Sequence, residues 1–145
     1  MEDKPVMQPN APTLEWNTLK EELEESWRQI PKPFRSERSI HGTLRCCLNN
    51  QLRHAGYAVV ADFMPPRVQD RSVDIIALND KHEVMVAICI DTVVTLAAVK
   101  SLGSFEAGQK LVLTTGALVK KVQESRFFLK PGIDHLHLHP FDHVG

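Results

Sequence analysis

The chain has 145 residues, 43% of them hydrophobic and 24% charged, and a formal net charge of −1. That is the size of one domain, or one domain plus an arm, with enough apolar content to bury a core. Near-neutral charge excludes a general polycation for nucleic acid or membranes, and no apolar run is long enough to cross a bilayer.

Three cysteines, with Cys46 and Cys47 adjacent, make neither a disulfide framework nor a CxxC metal knuckle. In apolar contexts Cys46, Cys47 and Cys89 read as inert buried thiols. With no signal peptide visible, a reducing, cytoplasmic setting is the expectation. The charge is unevenly placed. Residues 1–30 carry seven acids and three bases, whereas residues 32–53 carry five bases and one acid.

Residues 1–12, with three prolines and no periodicity, read as a disordered tail. Residues 13–31 read as an amphipathic helix. Asn17 or Thr18 would cap it, Thr18 with Glu21 fits a capping box, and Pro31 and Pro33 end it. Trp16, Leu19, Leu23, Trp27 and Ile30 form one apolar stripe, and Glu21, Glu22, Glu24 and Glu25 form an acidic face. The stripe packs either on its own domain or on a partner, since tryptophans are favoured interface anchors.

Residues 35–145 read as one α/β domain. A second helix runs over 37–54, capped by Ser36 and stopped by Gly56. Ile40, Leu44, Cys47 and Leu48 mark its apolar face, with Glu37 leaning toward it. Arg38, Arg45, Asn49 and Arg53 lie opposite, either as a solvated surface or as a row that tracks a phosphate backbone. Strands follow at 57–63, 71–78, 83–91, 110–115 and 133–141. One helix capped by Thr95 runs through Leu102, and another covers 117–125.

The second and third strands carry the interest. Val73-Asp74-Ile75-Ile76-Ala77-Leu78 and Val84-Met85-Val86-Ala87-Ile88-Cys89-Ile90-Asp91 flank a polar Asn79-Asp80-Lys81 turn. Asn and Asp tolerate the left-handed backbone of a tight turn. Each run is apolar on both faces, which predicts central strands covered on both sides. Asp74 inside one run and Asp91 at the end of the other need partners, because a buried charge is costly alone.

This order, with an acid in the second strand and a charge ending the third, resembles the PD-(D/E)XK superfamily of restriction-endonuclease-like nucleases over about residues 35–115. The resemblance implies an αβββαβ core around a mixed sheet, with an added N-terminal helix. Gly56-Tyr57-Ala58-Val59 is similar to the helix-to-strand passage of many members, and Asp74 matches their metal-binding aspartate. Cys89 stands in the slot of the second carboxylate and Asp91 in that of the lysine. Glu37 resembles the first-helix glutamate that some members turn toward the site. Such cleavage needs carboxylates around Mg²⁺ and a nearby cation. A thiol is a poor ligand for Mg²⁺.

Three functional readings follow. The leading one is a pseudo-nuclease without cofactor, acting as a protein interaction or assembly module, with Trp16, Leu19, Leu23 and Trp27 as the contact surface and a homodimer as its simplest form. The second is a Mg²⁺-dependent nuclease with a rearranged site of Asp74, Asp91 and Lys100, joined by Glu37. The third is nucleic-acid binding without cleavage through Arg38, Arg45 and Arg53. No reading calls for a membrane. Separately, His135, His137 and His139 alternate along a strand and share one face, with His143 beyond. They form either a transition-metal site or the solvent side of an edge strand.

Overall fold

The computed structural model describes residues 15–141. The tail expected at 1–12 and His143 lie outside them. Helices α1 (Trp16–Arg28) and α2 (Glu37–His54) lead into β1 (Ala58–Phe63), β2 (Val73–Leu78) and β3 (Val84–Asp91). Then come α3 (Leu96–Gly103), β4 (Gln109–Thr114), α4 (Val119–Ser125) and β5 (Asp134–His137). The five strands form one mixed sheet in sequential order. β1, β2 and β3 pair antiparallel, while β4 and β5 join parallel through the α3 and α4 crossovers. The expected α/β order, with its αβββαβ core and preceding helix, is present.

The sheet separates two cores. On one face α1 and α2 place Leu19, Leu23, Trp27, Leu44, Leu48 and Leu52 over Ile75, Ile88 and Leu113. On the other, Ala98, Val99 and Leu102 of α3 cover Val73, Ile76 and Val112. Residues 73–77 and 86–90 are all buried, which is why these strands lack the alternation of a one-sided sheet.

Capping follows side-chain chemistry, with one revision. Ser36 caps α2 in a reciprocal pair with Ser39, and Thr95 caps α3 by accepting from the Ala98 amide at 3.1 Å. Gly56, at φ 103°, takes the left-handed turn that stops α2. At α1 the expected Thr18–Glu21 box does not form. Glu15 caps instead, accepting from the Asn17 amide at 3.2 Å, because the helix starts at Trp16, ahead of both Asn17 and Thr18. In the β2–β3 turn the left-handed residue is His82, at φ 63°. Asn79 acts through its side chain, accepting from the Lys81 and Glu83 amides.

Two expectations about α1 are corrected. The Trp16, Leu19, Leu23, Trp27 stripe is not a free contact surface. Leu19, Leu23 and Trp27 are buried in the protein's own core, and the Trp16 indole donates to Asp134 at 3.3 Å. Glu24 is not on a solvated face either. It is buried, ion-paired with Lys20 at 2.7 Å, and accepts the His139 amide at 2.9 Å. These contacts tie α1 to the last strand. The pairing with Lys20, together with the His139 bond, outweighs burial and holds its carboxyl below the usual range.

Candidate functional site

The β2–β3 ladder ends at Ile75 opposite Ile88, and two side chains take over from it. The Asp74 carboxylate accepts the Ile90 amide at 2.7 Å, while the Arg71 guanidinium donates to the Ile90 carbonyl at 3.0 Å. Both backbone polar groups of a buried residue are thereby satisfied where the strands part. Arg71 is itself fastened. It also donates to the Ser72 carbonyl, and its own carbonyl accepts from buried Ser101 of α3.

The same Arg71 Nη2 reaches Asp74 Oδ2 at 3.0 Å and Asp91 Oδ1 at 3.1 Å. A guanidinium thus bridges the two acids. On its other side Asp74 meets α2, with His41 Nε2 at 2.7 Å and Arg45 at 3.0 Å on Oδ1. Asp74 is 1% exposed and receives two donors on each oxygen. Burial works against its charge. The His41 and Ile90 hydrogen bonds and the Arg71 charge outweigh it, so the carboxyl lies well below the usual range. Asp91 is raised by burial, with Arg71 opposing and Asp74 adding to the rise. Burial pushes the Cys89 thiol up to about 12, so it is neutral at pH 7. Burial works against the Arg71 charge, and the neighbouring Cys89, Asp91 and Asp74 more than offset it.

A cleft of about 380 Å³ opens beside this node, lined by Glu37, Arg38, His41, Ile90, Asp91, Thr92 and Thr115. Gly116 packs against Thr92, one of its lining residues. A Cβ there would lie 2.6 Å from the Thr92 carbonyl oxygen, so only glycine lets the chain pass after β4.

The sequence-derived candidates fare unequally. Asp74 and Asp91 come together. Lys100 does not join them as their cation. It is exposed on α3, across the sheet from α2, and Arg71 fills that role. Glu37 is exposed at the cleft rather than leaning into the core. The arginine row breaks up because Arg45 turns inward to Asp74, and its Nε is buried without a hydrogen-bond partner. Arg38 lines the cleft, and Arg53 donates to Asn49 at 2.8 Å. His41 was missed. Its only signal is the spacing of four residues to Arg45, which places both over the same strand.

The C-terminal histidines also serve structure. His135 Nε2 and His137 Nδ1 approach one buried hydroxyl, Thr114 Oγ1, at 2.8 and 2.9 Å. β5 is four residues long, shorter than expected, so His139 lies beyond it. The three rings do not converge as a metal site. Among the described residues no group of three or more His, Cys, Asp or Glu side chains stands so as to hold a metal ion. Burial, with Arg126 and His137 nearby, lowers His135 to about 4, and burial lowers His137 as well.

The donor set of the Asp74 node does not fit Mg²⁺. Both Asp74 oxygens and Asp91 Oδ1 are occupied by cationic or amide donors, Asp91 Oδ2 accepts from the Thr95 hydroxyl, and the third position offers a neutral thiol.

No family model matches the chain. No curated protein matches it. Among solved structures it is similar to a repair endonuclease from Pyrococcus abyssi, at 12% identity and a TM-score of 0.41. The match covers 73% of this chain and 48% of that one, so the chain spans about half the length of that protein. The likeness is too slight to carry an activity across. Among the described residues no helix is long and apolar enough to cross a membrane.

Proposed function

We propose that this chain is a non-catalytic domain on a nuclease-like scaffold, acting as a protein interaction or assembly module. The observation that carries the reading is the Arg71 guanidinium between Asp74 and Asp91, where metal-dependent cleavage would need a divalent ion. A fixed organic cation neutralises the acids and satisfies the strand ends. It cannot lower the pKa of a bound water as a metal does. The alternative is a nuclease that uses Asp74, Asp91 and Mg²⁺. It requires Arg71 to leave both carboxylates, and the cleft at Asp91 and Glu37 is what speaks for it.

A plasmid-nicking assay with Mg²⁺ and Mn²⁺ tests the reading, with Asp74→Ala protein prepared identically. The expected result is no cleavage above background by either protein. Cleavage by the wild type that the substitution abolishes would overturn it. Binding without cleavage is separable, because salt-sensitive DNA or RNA affinity that weakens on Arg38→Ala or Arg53→Ala would assign those residues to a phosphate backbone.

A further inference from the structure

With the tryptophan stripe buried, a partner must find another surface, and the crossover between β4 and β5 provides one. α4 buries only Val122 and Ser125. Around it Leu118 is 63% exposed, Val119 49%, Phe127 86% and Phe128 40%. Single exposed apolar side chains are ordinary, but four large ones along one short crossover are not. Lys120, Lys121, Arg126 and Lys130 lie exposed among them, against one acid, Glu124. The crossover therefore combines exposed apolar side chains with an excess of positive charge.

We propose that this surface docks an acidic protein segment that carries large apolar side chains. The inference rests on the reading of the chain as an interaction module and names the partner's chemistry. Charge complementarity selects an acidic segment. The exposed apolar side chains supply anchors of the kind that carry binding energy at interfaces. Single-stranded nucleic acid fits less well. Phe127 and Phe128 meet edge to face, 5.7 Å apart at 78°, which leaves no parallel pair of ring faces for successive bases. Leu118 and Val119 add nothing to base stacking, and Glu124 repels phosphate.

Random peptides displayed on phage and selected on the full chain test the proposal. Phe127→Ser and the double substitution Lys120→Glu/Lys121→Glu serve as variants. All three side chains are exposed, so the fold should survive, and circular dichroism checks that it does. The expected peptides combine Asp or Glu with Leu, Phe or Trp. They should bind each variant about tenfold or more weakly, as a central anchor or charge pair predicts. Arg38→Ala should leave their affinity unchanged. Failure to enrich such peptides, or binding that neither variant weakens, would overturn the proposal. Oligothymidine or phosphatidylserine vesicles that bind through Phe127 while no acidic peptide does would also overturn it. Cleavage in the nicking assay with peptide binding intact would remove the non-catalytic reading and leave this docking surface standing.

Discussion

The molecule solves the same problem twice, in opposite ways. At the β2–β3 node, buried Asp74 keeps its charge because Arg71, Arg45, His41 and a backbone amide surround it. At the β4–β5 edge, partly buried histidines give up their charge and share one threonine hydroxyl. The difference lies in the company each group keeps. A carboxylate at a strand end finds donors from two elements, whereas burial lowers both imidazoles, with Arg126 and His137 adding to it at His135 and Glu24 only partly opposing it at His137. The first arrangement ties α2 to the middle of the sheet, and the second seals its edge.

Breaking the node should cost most. Asp74→Ala removes an acceptor shared by Arg71, Arg45, His41 and the Ile90 amide, and loss of one partner of a buried ion pair costs about 3–5 kcal/mol. Urea unfolding should show that loss. A change within 1 kcal/mol would mean that solvent already screens the node. Replacing both charges, as in Asp74→Leu with Arg71→Met, should cost less than the two single changes summed, since the pair they share is lost once rather than twice.

The edge should break next. Thr114→Val removes the hydroxyl between His135 and His137, and an unsatisfied buried polar group costs about 1–3 kcal/mol. Thermal melts of that variant check it. Stability unchanged from wild type would mean that water replaces the hydroxyl.

Acid should then separate the two regions. His135 and His137 sit below their unfolded value, so the unfolded chain takes up protons first. Stability should fall from about pH 6.5 toward the folded His135 value of about 4. Asp74 also sits below its unfolded value, but its contribution persists until pH falls below about 4. Asp91 is shifted upward, so its contribution has the opposite sign, a gain as pH falls toward its unfolded value of about 4, complete before the Asp74 loss sets in. Chemical denaturation at stepped pH should show the first decline flattened in His135→Gln and preserved in Asp74→Asn. An equal decline in both variants would detach the edge from the pH response.

The smallest effect sharpens the assignment of the cation. Lys100→Ala should change stability by no more than about 0.5 kcal/mol, as for an ordinary exposed side chain. A loss comparable to that of Arg71→Ala would mean that Lys100, not Arg71, offsets the acids.

Much of this was legible beforehand where one residue's chemistry decides the outcome. Ser36 and Thr95 announce their caps, and Gly56 announces its stop. The unbroken apolar runs at 73–78 and 84–91 announce central strands because both faces are covered. Asp74 stood out as an acid in apolar company. What stayed hidden depended on which counter-charge a face would meet. Glu24 and Arg45 read as surface charges by helical spacing. Lys20 and the His139 amide, brought by β5, draw the first inward, and Asp74 draws in the second. The tryptophan stripe was equally ambiguous, since core and interface ask for the same residues. The missing cation was sought in the next helix, whereas Arg71 lay three residues before the acid it holds.

The most direct test of the central claim is a Mn²⁺ titration of the wild-type chain followed by electron paramagnetic resonance, beside Asp74→Asn. If Arg71 stands in place of a metal, the wild type should leave millimolar Mn²⁺ free and its signal identical to that of the variant. Stoichiometric Mn²⁺ uptake by the wild type that Asp74→Asn abolishes would show that the acids still hold a divalent ion, and the non-catalytic account would fail.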